Sequence, residues 1–373
     1  MRGASRKVLG ENRMAPKRIT TTVWLWTFVL VPWTLPARGQ LAVSTGGPVT
    51  VVAADSQQKG TLLAGTSAAV LYRSRDWADS WERLAFPAEL RSTLHAVATD
   101  PTQPNVYLVA VTSDNSQYAG VYRSVDGGDS WGQLPGLRRK QVWSLAYWAA
   151  DANVIAAGTQ DGVYLTRDGG ENWIQISSLD SGGPRPVVAL AFDPAHPTTL
   201  YAGTPHLSWK TTDGGATWRA LRRGMEEDSD IFSIAVDRTR PRRLFAGACS
   251  GIYRSLDGGN SWTSLERAVG AQFRTYVIAG QPRGTNIFVA GTNAGILKSL
   301  DGGATWRKIS TLATRSIAFH VSDPRRVIVA TDQGILRSDD GGDHFNVVAT
   351  FRGNVLAATA ILKPGDANRH LRQ

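Results

Sequence analysis

The chain has one cysteine, Cys249, in 373 residues. An intrachain disulfide is therefore excluded, and a thiolate-rich metal centre has no ligands to draw on. Histidine is scarce too, with six residues scattered along the chain. None falls into a His-x-x-x-His or His-Glu-x-x-His pattern, so no catalytic metal site and no cofactor is expected. The nucleophile elbow Gly-x-Ser-x-Gly is missing, and no phosphate-cradling glycine loop leads into a helix. Long Ala/Leu/Glu/Lys stretches are also missing, which argues against a helical bundle. The one lengthy apolar run, Val23 to Leu35, is too short for a membrane span of about 20 residues and is interrupted by Pro32.

Positive charge is in excess, at +10, but it is concentrated at the front. Residues 1–39 hold seven Lys/Arg and one acid, leaving +4 for everything else. A nucleic-acid partner needs cations clustered on one face, and none is expected here. The front segment reads instead as an address. Lys17-Arg18 precedes the apolar run, and Ala37 and Gly39 fill the small-residue positions of a secretory cleavage site. Residues 1–39 are thus expected to be a signal peptide, or an anchor if uncleaved and then the sole membrane contact. The destination is secreted, or periplasmic in a bacterial envelope.

Glycine and tryptophan are abundant, at 38 and 13 residues, and they recur in register. VYRSVDGGDSW (121–131), VYLTRDGGENW (163–173), SWKTTDGGATW (208–218), IYRSLDGGNSW (252–262) and ILKSLDGGATW (296–306) are copies of one motif. LYRSRDWADSW (71–81) and ILRSDDGGDHF (335–345) are weaker copies. Their aspartates are Asp76, Asp126, Asp168, Asp213, Asp257, Asp301 and Asp340, on average 44 residues apart. That period fits one four-stranded propeller blade. Each unit also carries two apolar strands before the motif, as in VVALAFDPAHPTTLYAGT (187–204), with no solvent side to either. The expected fold is all-β, a seven-bladed β-propeller of four-stranded antiparallel blades over residues 40–363, with a tail at 364–373. Blades are read at 48–85, 93–135, 142–177, 186–222, 230–266, 273–310 and 315–349, with 354–363 as an extra first strand beside blade one.

Within the motif, the aspartate and the Ser/Thr two residues earlier can pin a tight loop through backbone amides. The glycine pair supplies backbone conformations with positive φ. The closing tryptophan can bury a large face against the next blade, and truncating Trp218 or Trp306 is expected to be strongly destabilising. The spacing does not match an EF-hand calcium loop.

The motif resembles the Asp-box, or BNR, repeat of sialidases, xyloglucan-active endoglucanases, sortilin-type Vps10 domains and photosystem II assembly-factor propellers. The resemblance covers nearly all of 48–349 and implies that the seven aspartates are structural. It does not choose a function, because these families share the repeat. Six blades and three clustered arginines would be expected of a sialidase. The xyloglucan enzymes carry two propellers with a carboxylate in each, where this chain offers Ser67 and Ala68.

Candidate binding residues lie in the loops entering each first strand: Arg138, Arg139, Lys140, Arg185, Arg222, Arg223, Arg267, Arg274 and Arg315. Trp143, Phe232 and Tyr276 occupy early positions on three first strands. Cations mixed with rings at one mouth would suit a protein or polysaccharide ligand, and the protein is expected to be a monomeric, non-enzymatic binding module. The alternative is a glycoside hydrolase, which needs two facing carboxylates from Asp180, Glu226, Asp228, Asp230 and Glu266. A third reading is an assembly factor for a membrane complex. His95 reads as a satisfied packing residue.

Overall fold

The computed structural model describes residues 46–350, apart from 90, 178–181, 226–229, 266–272 and 283–285, together with the backbone of 361–362. Seven antiparallel sheets follow one another along the chain, each built on four consecutive strands in sequential order, with a short fifth strand added to the last. Their strands cover residues 49–83, 92–133, 142–175, 189–221, 231–264, 275–310 and 314–349, so the repeat marks the blades to within a few residues. The first strand of each blade contacts the first strands of both neighbours, and that of blade seven contacts that of blade one. This is a closed seven-bladed β-propeller with the first strands innermost. No described helix is long and apolar enough to cross a membrane.

The core lies between blades rather than within one. Second strands such as Leu62–Thr66, Leu244–Ala248 and Phe288–Thr292 are buried throughout, because neighbouring blades cover both faces. Each apolar cluster draws on two adjacent blades. One joins Leu108 and Ala110 to Ile155 and Ala157, and another joins Val52 and Tyr72 to Ile328 and Ala330.

The last of these clusters closes the ring without exchanging a strand. Val52 of blade one donates its amide to Ser316 Oγ of blade seven at 3.1 Å. Ile361–Leu362 do not stand beside blade one, where an extra first strand was expected. They pair with Phe345–Ala349, the outermost strand of blade seven. The innermost places are already filled by seven first strands, so a further strand finds free backbone groups only on an outer edge.

All seven motif loops, between third and fourth strands, form the same hydrogen-bond network. The Ser/Thr hydroxyl donates to the aspartate Oδ1 at 2.6–2.9 Å. Oδ1 also accepts the amide of the residue four positions on, at 2.8–3.0 Å. The two divergent copies keep it. In the first, Trp77 and Ala78 adopt the positive φ of the missing glycines, at 58° and 71°. Trp77 uses its ring to pack edge-on against His320 of blade seven, centroids 4.6 Å apart. In the last, His344 Nδ1 replaces the usual hydroxyl beside Asp340 Oδ2 at 2.5 Å.

A second brace runs around the ring. The residue preceding the loop Ser/Thr is cationic in six repeats, and in five of them it reaches the loop of the following blade. Arg73 reaches the Gly127 carbonyl, Arg123 that of Gly169 at 3.3 Å, and Lys210 that of Gly258 at 2.9 Å. Lys298 meets Asp343 at 3.1 Å. Arg337 spans the closure to the Trp77 carbonyl at 3.1 Å and Asp79 at 2.8 Å. Charge-assisted hydrogen bonds contribute about 1.5–3 kcal/mol. Arg337→Ala is therefore expected to lower unfolding free energy by about 2 kcal/mol in urea titration. An unchanged midpoint would show that the ring closes without this brace.

Candidate functional site

The hydrogen bonds sort the loops onto two faces. Loops entering first strands are bonded to loops joining second and third strands: Asn293 N to Arg274 O at 3.0 Å and Cys249 N to Asp230 O at 3.0 Å. The motif loops are bonded instead to the turns after first strands, as Gly258 N is to Arg242 O at 2.9 Å. Motif aspartates and first-strand entries therefore lie on opposite faces. The entry face is called the mouth below, and the other the exit.

At the mouth, the second residue of the inner strand in blades one, three, five, six and seven is inserted by a β-bulge: Thr50, Trp143, Phe232, Tyr276 and Arg315. In blade two the bulge falls at His95. Blade four places Val188 there, its amide bonded to Gly203 O at 3.0 Å beside the Ala189–Gly203 pair. A bulge leaves one residue unpaired and re-aims its side chain. The consequence is visible in burial. Val49, Leu94, Val142, Val187, Ile231, Thr275 and Thr314, which precede the inserted residues, are all buried, while each inserted residue is partly or largely exposed.

The facing second strand supplies the room. Gly158, Gly203, Gly247 and Gly291 stand opposite, and a Cβ on any of them would lie 2.7–2.9 Å from the inner-strand carbonyl of the next blade. The recurring Ala-Gly pair thus lets neighbouring inner strands crowd the mouth.

Three inserted side chains form a continuous run. The Phe232 and Tyr276 rings are 5.7 Å apart, and the Arg315 guanidinium lies 5.1 Å from the Tyr276 ring. Asp332 stands 3.5 Å from Arg315, with both side chains about half exposed, so the pair is weak. Trp143 holds the equivalent place in blade three. Across the mouth, the Thr50 hydroxyl bridges to the Leu94 carbonyl at 2.5 Å. His95 Nε2 lies 2.8 Å from Thr112 Oγ1, and burial depresses its pKa to about 4. It is neutral at pH 7, which leaves Arg315 as the cation of this ring.

The other loop cations are placed unequally. Arg138, Arg139, Arg185 and Arg274 are exposed on the entry segments. Lys140 is engaged with Asp161 at 2.6 Å and lies over the Tyr164 ring at 5.4 Å. Arg222 and Arg223 lie on the mouth face but away from its centre. The Arg223 carbonyl accepts the Trp262 amide at 2.9 Å. This holds the pair at the outer rim, because residue 222 follows an outermost strand, Arg219–Leu221, and Trp262 opens another. Arg267, Asp180, Glu226, Asp228 and Glu266 lie outside the described residues.

Sequence reasoning placed Trp143, Phe232 and Tyr276 on their strands but did not see the bulge, and it gave His95 no part in the ring. Bulges leave no residue-type signature here, since the inserted side chains range from Thr to Trp. Among the described residues, no group of three or more His, Cys, Asp or Glu could hold a metal ion.

No protein-family model matches the chain, and no curated protein matches it. Solved structures do. The GH74 enzyme of Niastella koreensis aligns with a TM-score of 0.66 at 18% identity, over 84% of this chain and 55% of that one. This chain thus spans about half the length of that enzyme. YCF48 bound to a D1 peptide aligns at 0.61 and 18% identity, over 80% and 95%. The GH74 xyloglucanase of Xanthomonas campestris aligns at 0.55 and 16%, over 86% and 70%. The likeness is one of fold.

Proposed function

We propose that this protein is a non-enzymatic binding module whose mouth holds an extended protein or polysaccharide on the Phe232–Tyr276–Arg315 run. The observation that carries this is the bulge ring. The same insertion in successive blades lifts one side chain per blade out of the packed strand, and three adjacent ones join rings to a cation. Aromatic faces stack on sugar rings or apolar side chains, and a guanidinium over a ring presents donors to carboxylates. The neighbours fit both ligand classes: one carries a bound peptide, another is a xyloglucanase.

A glycosidase is the second reading, favoured by the GH74 likeness. Against it stands the make-up of the channel wall. The seven described inner strands contain no Asp or Glu at all, so a facing carboxylate pair would have to come entirely from loops. As part of the same proposal, the loops are Asp boxes in a structural role, and residues 1–39 direct export.

The test is affinity electrophoresis through xyloglucan and polygalacturonate gels, with an envelope pull-down for protein partners and a reducing-sugar assay alongside. Retention or capture without sugar release is expected. Sugar release abolished by one carboxylate substitution would overturn the reading.

A further inference from the structure

The other end of the channel holds a separate cavity of about 290 Å3, at the small end of ligand pockets. Its wall comes from six blades, at the last residues of inner strands or in the turns after them. Ala54, Ala98, Ala149, Pro282 and Phe319 make it largely apolar. Two polar groups stand out. Tyr147 lines the cavity, and its hydroxyl has no hydrogen-bond partner among the described residues. Arg238 lines it from the blade-five turn and forms no ion pair with a described residue.

The turn explains why Arg238 is left over. In four of these turns an aspartate, Asp55, Asp100, Asp193 or Asp237, is buried and accepts amides of its own turn, as from Thr239 at 2.8 Å and Arg240 at 3.1 Å. The Asp237 carboxylate is further occupied by Arg243 Nε at 2.6 Å. The acid of the turn is thus consumed inside, while Arg238 projects beside an apolar hollow on the ring axis. The blade-seven arginines Arg325 and Arg326 differ, since both lie against Asp323.

We propose that this exit cavity is a second binding site, which takes a small carboxylic acid with a flat or branched apolar body. The apolar walls receive the body, the Arg238 guanidinium the carboxylate, and the Tyr147 hydroxyl donates a hydrogen bond to it. The site is independent of the mouth and of any polymer held there.

Isothermal titration of the full chain with naphthalene-2-carboxylate and naphthalene-2-carboxamide tests it. The acid is expected to bind saturably at about millimolar affinity or better, and at least tenfold more tightly than the amide. Arg238→Gln should erase that difference, Ala149→Trp should block both compounds, and Arg325→Gln, a charge change on the same face outside the cavity, should alter neither. Melting curves identify any variant that has lost its fold. Equal binding of acid and amide, an unaffected Arg238→Gln, or no saturable binding of the acid would overturn the proposal.

Discussion

Trp306→Ala is expected to lower the unfolding free energy by about 3–5 kcal/mol, as truncation of a buried aromatic does. Trp306 is 6% exposed. It packs edge-on against Phe245, centroids 6.1 Å apart, in a cluster with Phe288, Leu265 and Leu297. Trp218 closes an identical DGGATW sequence but is only partly buried, and its indole donates to the Ile176 carbonyl at 2.9 Å. Trp218→Ala should therefore cost clearly less, roughly half as much, in proportion to the apolar area it hides. Denaturant titration of the two variants decides it. Equal losses would show that the loop, rather than the neighbouring blade, sets the worth of the ring.

The second large effect is a steep loss of stability in acid. The loop carboxylates are held below the ordinary aspartate range by donors aimed at them. Asp168 falls to about 2 through the Asn172 amide, the Thr166 hydroxyl and the Asn172 side chain. Asp301 falls to about 2 through the hydroxyl and amide of Thr305. In Asp257 and Asp340 burial opposes the shift, yet the hydrogen bonds prevail and both stand at about 2. Asp76, Asp126 and Asp213 are lowered too. Each folded-state pKa lies below that of the unfolded chain, about 3.9, so ionisation favours the fold. The contribution is complete above about pH 5 and is lost as pH falls through 4 toward 2. Melting temperature should be flat from pH 7 to 5, then drop sharply as several protons are taken up together. Asp301→Asn should remove about one proton from that uptake near pH 3. A melting temperature that stays level down to pH 2 would contradict the assigned role of the loops.

The fold was legible because the propeller repeats a local device. The Ser/Thr, Asp and glycine pair act within one loop, so their spacing alone counted the blades. Trp77 and Ala78 broke the pattern in sequence, and the structure gives the reason: blade one meets blade seven there, and the Trp77 ring fills the junction. The cations Arg73 and Arg337 were written into the repeat as well, but their partners lie in the next blade, where no local pattern reaches. The same limit explains the mouth. Phe232, Tyr276 and Arg315 lie 44 and 39 residues apart in the chain, and only the bulge at each brings their side chains into one run. Arg222 and Arg223 looked equivalent to other loop cations until the contact with Trp262 fixed them at the rim.

On the proposed function, the inserted residues of blades five to seven are expected to bind the ligand. This is tested most directly by comparing retention in the polysaccharide gels, or capture of the envelope partner, among the wild type, Tyr276→Ala, Arg315→Ala and the rim variant Arg222→Ala with Arg223→Ala. Loss of a stacking ring is expected to weaken binding about tenfold or more, since contacts of this kind contribute about 1–2 kcal/mol or above. Tyr276→Ala and Arg315→Ala are expected to lose binding while the rim variant keeps it. Wild-type binding in both mouth variants, with loss in the rim variant, would contradict this and move the site to the outer edge of the ring.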